Sequence, residues 1–265
     1  MAGNDKFGMK EVLDVTLYDM ETGKPVIRFD SLKNSSINIT ADKVSARGGR
    51  GNNKLITWEF NKEGTLTVED ALLSPKSIEL VSGVATVNGA QTLHMRQATE
   101  YDTTGDTPTD KGELYPLKTT AAGKVTLAYA PKEDKSKIIV YKADDEFGTP
   151  VEVSAVSEKE LTLTGINAVT NVVVYYTFDS AADTQTYTID AKTFSGTYKL
   201  VGDTVIRNSK TGKDEPFQVI IPNLKWSSAF TFSLSAEGDP STQSFECDIL
   251  KPADSAILVQ MVRYK

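Results

Sequence analysis

In 265 residues there is one cysteine and one histidine. With Cys247 alone, no disulfide and no thiolate metal cluster can form within one chain. With His94 alone, a Ser-His-Asp arrangement has one place to be built, and a histidine-based metal site has one ligand. No apolar run reaches the roughly 20 residues of a membrane-spanning helix, so no membrane is expected among the partners. The stretch from Met1 to Lys6 lacks the basic-then-apolar pattern of a signal peptide, and the expectation is a chain made in a cytoplasm. Positive charge is also short: 29 Lys and Arg stand against 36 Asp and Glu, a net charge of -7. That disfavours nucleic-acid binding through the whole surface, because affinity for a phosphate backbone comes largely from Lys and Arg.

What remains is ordinary globular composition, 39% hydrophobic and 25% charged, in a chain long enough for one large β domain or two smaller ones. Alternating apolar and polar residues predict strands at Val12–Tyr18, Pro25–Phe29, Ser36–Thr40, Leu55–Phe60 and Thr65–Val68, with a loop over Ala46–Lys54 and a turn at Asn61–Gly64. One helix is predicted: Ser74 caps it, Pro75 suits its first position and Gly83 ends it, with Ile78, Val81 and Leu80 toward the core. From Thr99 to Asp110 the chain reads as a long exposed loop. Short strands then follow at regular spacing (Val125–Tyr129, Lys137–Tyr141, Glu160–Thr164, Val172–Tyr176), as in a small sandwich. Alternation returns at Thr184–Ile189, Gly196–Val201, Thr204–Arg207, Phe217–Ile221, Ala229–Ser235, Phe245–Leu250 and Ala256–Val262. The predicted fold is mainly β: an antiparallel β-sandwich or partly closed barrel with one short helix, plus an inserted or second small β-sandwich. Residues 1–83 and 184–265 are expected to fold together, with 84–183 as a β-rich insertion.

The residues that carry chemistry give no catalytic, cofactor or metal site. His94 sits in Thr92–Arg96, a half-exposed strand pattern, and Cys247 sits in another, where a small packed thiol is the simpler reading. Asp102, Asp106 and Asp110 recur every fourth residue but lack the liganding pattern and closing Glu of an EF-hand loop. Asp144-Asp145-Glu146 is the densest carboxylate group, and its setting is a turn. Trp58, Trp226, Tyr175 and Tyr176 suit either a sugar site or a core, and the alternation around them favours the core. Gly48-Gly49-Arg50-Gly51 lacks the Gly-Lys-Ser/Thr ending of a phosphate loop and has no helix behind it. It reads as a mobile basic hairpin loop, in which Lys43, Arg47, Arg50 and Lys54 outweigh Asp42 and suit an acidic neighbour.

Thr193–Asp203, Gly212–Pro222 and Ala236–Ser241 resemble segments of structural proteins of tailed phages. The loop running into Leu55–Phe60, followed by the capped helix from Ser74, is similar to them as well. In layout the chain resembles the tail tube (major tail) protein family of tailed bacteriophages. That resemblance implies a β-sandwich body flanked by a helix, a loop reaching a neighbouring ring, and a middle segment that is a β-rich insertion or an Ig-like domain. It implies no enzymatic activity and no cofactor. It implies homo-hexameric rings stacked around a channel for DNA ejection, other tail proteins such as the tape measure and, in a contractile tail, the sheath as partners. Double-stranded DNA would meet the chain only in transit, and the chain would sit in the virion after assembly in the host cytoplasm. The inter-subunit loop would comprise Arg47, Gly48, Gly49, Arg50, Gly51 and Lys54. A phage capsid or decoration protein, or a surface carbohydrate-binding or adhesion module, are the other readings the sequence leaves open.

Overall fold

β-branched and aromatic residues alternating with polar ones favour pleated, half-buried strands, and strands make up 51% of the chain. The computed structural model describes residues 6–105, 107–231, 236 and 242–264. The first part forms β1 (Phe7–Met9), β2 (Asp14–Asp19), β3 (Pro25–Phe29), β4 (Leu32–Gly48), β5 (Asn53–Asp70) and the helix α1 (Pro75–Ser82). The middle contributes β6 (Val87–Asn88), β7 (Thr92–Gln97), β8 (Tyr101–Asp102), β9 (Thr109–Asp110) and β10 (Lys124–Thr126). It continues through β11 (Ile139–Lys142), β12 (Val153–Ser157), β13 (Glu160–Leu163), β14 (Val172–Asp179) and β15 (Gln185–Thr186). The chain returns through β16 (Thr197–Asn208), β17 (Asp214–Trp226), β18 (Gln243–Ile249) and β19 (Gln260–Arg263). These elements divide into two compact units, Met1–Thr86 with Tyr187–Lys265, and Val87–Thr186.

The first unit is built on one antiparallel sheet in the order β3-β2-β16-β17-β18-β5-β4, with β1 added to β16 and β19 to β17. Strand β17 serves two neighbours: Phe217–Ile220 pair with β19, and Leu224–Trp226 pair with β18. The change falls at Pro222-Asn223, where the register against β16 slips between Leu200↔Ile221 and Tyr198↔Leu224. Proline has no N–H to give a ladder, so a bulge is where a long strand tolerates it. The slip moves the buried set from Phe217, Val219 and Ile221 to Leu224 and Trp226. Val15, Leu17, Leu66, Val68, Leu200, Ile221, Phe245 and Cys247 all join one hydrophobic cluster, so the sheet bends over its own core. Among the described residues no sheet closes into a barrel. Trp226 is fully buried and stacks on Phe29, with ring centroids 5.5 Å apart and planes 5° apart. Burial pushes the Cys247 thiol well above its usual range, which leaves it protonated and inert.

Helix α1 follows its sequence signals. The Ser77 N–H donates to Ser74 Oγ at 3.0 Å and the Ser74 N–H donates to Ser77 Oγ at 3.0 Å, a reciprocal cap. Gly83 ends the helix at φ 71°, where its N–H donates to the Glu79 carbonyl at 2.8 Å. A side chain there would also strike the Phe194 carbonyl. Leu80 and Val81 are buried in the core, whereas Ile78 is only half-buried.

Other expectations are corrected. The segment Asn61–Gly64 is not a turn: β5 runs straight through it, and Ser36–Thr40 is part of the longer β4. Gly64 is a buried strand residue where a Cβ would come within 2.8 Å of Ile39 and 3.1 Å of Ile249. The Ala46–Lys54 loop contracts to a tip at Gly49–Asn52. Within Thr99–Asp110, β8 and β9 pair as a small hairpin. Thr184–Ile189 keeps only the two residues of β15, and Ala256–Val262 is strand only from Gln260. Ala229–Thr231 is not strand, and Phe232–Ser235 lies outside the described residues.

In the second unit two three-stranded antiparallel sheets, β10-β13-β12 and β11-β14-β7, share one core. Val125, Leu161 and Leu163 come from one sheet, and Val140, Val172, Val174 and Tyr176 from the other. Gln97 holds a polar knot inside it: its Oε1 accepts from the Ala128 N–H at 3.0 Å and from the Tyr176 hydroxyl at 3.1 Å. Burial pushes the Tyr176 phenol up to about 12.

Candidate functional site

Strands β4 and β5 are far longer than the body needs, and their outer halves form an arm. Residues 51–63 are exposed without exception. From Asp42 to the tip is about eight residues, or roughly 25 Å of extended strand. The tip needs left-handed backbone at three places: Gly49 has φ 76°, Gly51 has φ 94° and Asn52 has φ 51°. Glycine and asparagine are the residues that adopt it at little cost. The Asn52 N–H closes the turn on the Gly49 carbonyl at 3.1 Å.

The base of the arm is a bulge. Pairing passes from Thr40↔Glu63 to Asp42↔Phe60, so β5 carries one residue more than β4. Asn61 takes it up at φ 48°. Because side chains alternate with period two, one extra residue moves the following set to the other face. Leu66 and Val68 face the core, but Ile56, Trp58 and Phe60 continue the opposite face of the sheet.

The two faces of the arm are chemically distinct. On one, Val44 pairs with Trp58 and Ala46 with Ile56, and Phe60 lies next in line. Val44, Ile56, Trp58 and Phe60 are 52%, 55%, 52% and 48% exposed. On the other, Lys43 pairs with Glu59 at 2.9 Å and the Ser45 and Thr57 hydroxyls meet at 3.0 Å. The Lys43 ammonium holds the Glu59 carboxyl below its usual range. Full burial of each half-exposed apolar side chain is worth on the order of 1 kcal/mol, whereas an exposed ion pair contributes about 0–1 kcal/mol. The apolar face is therefore the stronger driver of any contact the arm makes.

Of the expected loop residues, Arg47 and Gly48 end β4, Gly49, Arg50 and Gly51 form the tip, and Lys54 opens β5. Arg47, Arg50 and Lys54 are exposed and make no ion pair among the described residues. Trp58 is not core, contrary to expectation, because it lies on the arm, beyond the reach of the body's core, where both faces are exposed. Val44, Ile56 and Phe60 were not singled out by sequence, although the alternation of Ile56, Trp58 and Phe60 with Thr57 and Glu59 carries the signal.

Elsewhere, His94 is an exposed residue of β7 paired across the sheet with Thr177. Asp102 accepts from the Thr104 N–H at 3.0 Å, and Asp110 accepts from the Thr99 hydroxyl at 2.5 Å and the Gly112 N–H at 2.9 Å. Both carboxyls are occupied by their own turns, and Asp106 lies outside the described residues. Among the described residues no group of three His, Cys, Asp or Glu side chains is placed to hold a metal.

The model of the YomU/Tube protein family matches residues 7–263. The chain belongs to that family. The YomU/Tube family is one of phage tail tube proteins, structural and in general non-enzymatic. The match covers the arm and both compact units. No curated protein matches the chain.

Proposed function

We propose that this YomU/Tube protein is the subunit of a phage tail tube that self-assembles into stacked, hexameric rings enclosing the channel for DNA ejection. The observation that carries the proposal is the arm: a two-stranded projection with one apolar face and no covering element of its own. A monomer gains nothing by exposing Val44, Ile56, Trp58 and Phe60 together on one face. A second copy of the chain covers them in this reading, and each copy offers its arm in turn. Contacts of this head-to-tail kind close into rings when the rotation allows and extend along an axis when it does not. Strand β4 also ends the sheet order, so its outer edge is open to a neighbour.

The basic tip, with Arg47, Arg50 and Lys54, then reaches an acidic surface of the next subunit, as the net charge of -7 favours. The same acidity lets DNA pass without adhering if acidic residues face the channel. The tape measure, and a sheath in a contractile tail, are the other partners this reading assigns; assembly takes place in the host cytoplasm. Negative-stain images of the purified chain test the proposal. Rings or stacked tubes are expected, and particles that stay monomeric at high concentration would overturn it.

A further inference from the structure

The outer face of the β11-β14-β7 sheet, in the second unit, carries a groove that its core does not explain. His94, Arg96, Ile139, Tyr175 and Thr177 line it, and its volume is about 430 Å³, within the range of small-molecule sites. Beside it stands an aromatic ledge. Phe147 is 75% exposed, and its ring lies 5.9 Å from Tyr141 and 6.1 Å from Tyr175, which belongs to both ledge and groove.

Two features of the ledge are unexpected for a merely structural surface. Phe147 has φ 73°, a left-handed conformation that a bulky side chain adopts at a cost of about 1–2 kcal/mol. Stability alone would favour glycine or asparagine there, yet an aromatic ring is held out to solvent. The groove wall is also fixed in place. The Glu146 carboxylate accepts from Arg96 Nε at 2.8 Å and Arg96 Nη2 at 2.7 Å, and it also accepts from the Tyr175 hydroxyl.

Charge narrows the class of ligand. Arg96 is paired with Glu146, and Lys137 lies 3.9 Å from Glu133. Both cations at the groove are thus balanced, which disfavours a phosphate or a sulfated polymer. What is left is an exposed apolar ring, Phe147, tilted 54° and 43° to its neighbours Tyr141 and Tyr175, beside rigid, neutralised hydrogen-bonding groups. Sugar rings present that complement, with one apolar C–H face and a rim of hydroxyls.

We propose that the groove and ledge bind a neutral saccharide, one sugar ring stacking on Phe147 with Tyr175 at its edge and its hydroxyls bonding to Arg96 and His94. The site stands on the second unit alone and does not depend on self-assembly. Saturation-transfer NMR on the dispersed full-length chain tests it, with neutral trisaccharides of glucose, galactose, mannose and N-acetylglucosamine as probes and heparin fragments as the anionic control. Transfer to at least one neutral trisaccharide is expected. Phe147→Gly should weaken that binding about tenfold without lowering the melting temperature, because glycine relieves the backbone. Phe147→Asn, which also tolerates left-handed backbone, should weaken it similarly. His94→Ala should weaken it less. Transfer to none of the neutral probes, binding unchanged in both Phe147 variants, or preference for heparin over every neutral probe would each overturn the proposal.

Discussion

Asn61 decides which face of the arm is apolar. It occupies left-handed backbone inside a strand, at φ 48°, and the extra residue it supplies turns Trp58 and Phe60 away from the side of Leu66. Asparagine adopts this conformation more readily than most residues because its short side chain bonds locally. Asn61→Val is expected to cost about 1–2 kcal/mol, read as a lower urea midpoint at unchanged slope, while Asn61→Gly should be close to neutral. Two carboxylates give a pH dependence at the same scale. Glu79 is held down to about 2 by the Lys76 ammonium and by the Thr86 N–H. Glu146 is held down to about 2 by Arg96 and then Tyr175. Both folded values lie below the ordinary 4.5, so each adds stability that is fully present above that pH. The contribution is lost as pH falls from about 4.5 toward 2. Thermal melts across that window should drop, and Glu79→Gln with Glu146→Gln should flatten the drop.

At the scale of elements, the arm and helix α1 show what a sequence discloses. The helix was legible end to end, because Ser74, Pro75 and Gly83 act on backbone groups a few residues away. The body strands were legible from period-two alternation. The arm was not, because Asn61-Lys62-Glu63-Gly64 carries the residues of a turn, and only pairing with distant Thr40 and Asp42 makes it a bulge. Gly64 shows the same limit: its lack of a side chain serves close packing against Ile39 and Ile249, which lie far away in sequence. The basic tip was legible by composition; the face that outweighs it energetically was legible as alternation, but its exposure was not. Trp58→Lys with Phe60→Lys should therefore abolish assembly while shifting unfolding by about 1 kcal/mol or less, since both residues are half exposed in the single chain and Phe60 pairs with Asp42, which suits a cation. Arg47→Glu with Arg50→Glu should weaken assembly less, with a loss that shrinks as salt is raised. Sedimentation and thermal melts on the two variants separate these effects.

For the whole molecule, the division of labour is between a body whose core is complete and surfaces that are not. The stacked Phe29 and Trp226 rings, with Phe245 beside them, belong to a core that needs no partner. The arm has no core of its own, and the second unit has its own sheets and its own surface groove. The YomU/Tube family match spans all three. The two tryptophans report on the two kinds of environment: Trp226 is fully buried, and Trp58 is half exposed. The most direct test is the emission of Trp58, isolated by subtracting the spectrum of Trp58→Phe, measured in dispersed subunits and in assembled particles. A shift to shorter wavelength and loss of quenching by acrylamide are expected on assembly. Trp58 emission as red and as quenchable in the assembly as in the dispersed chain would contradict assembly through the arm.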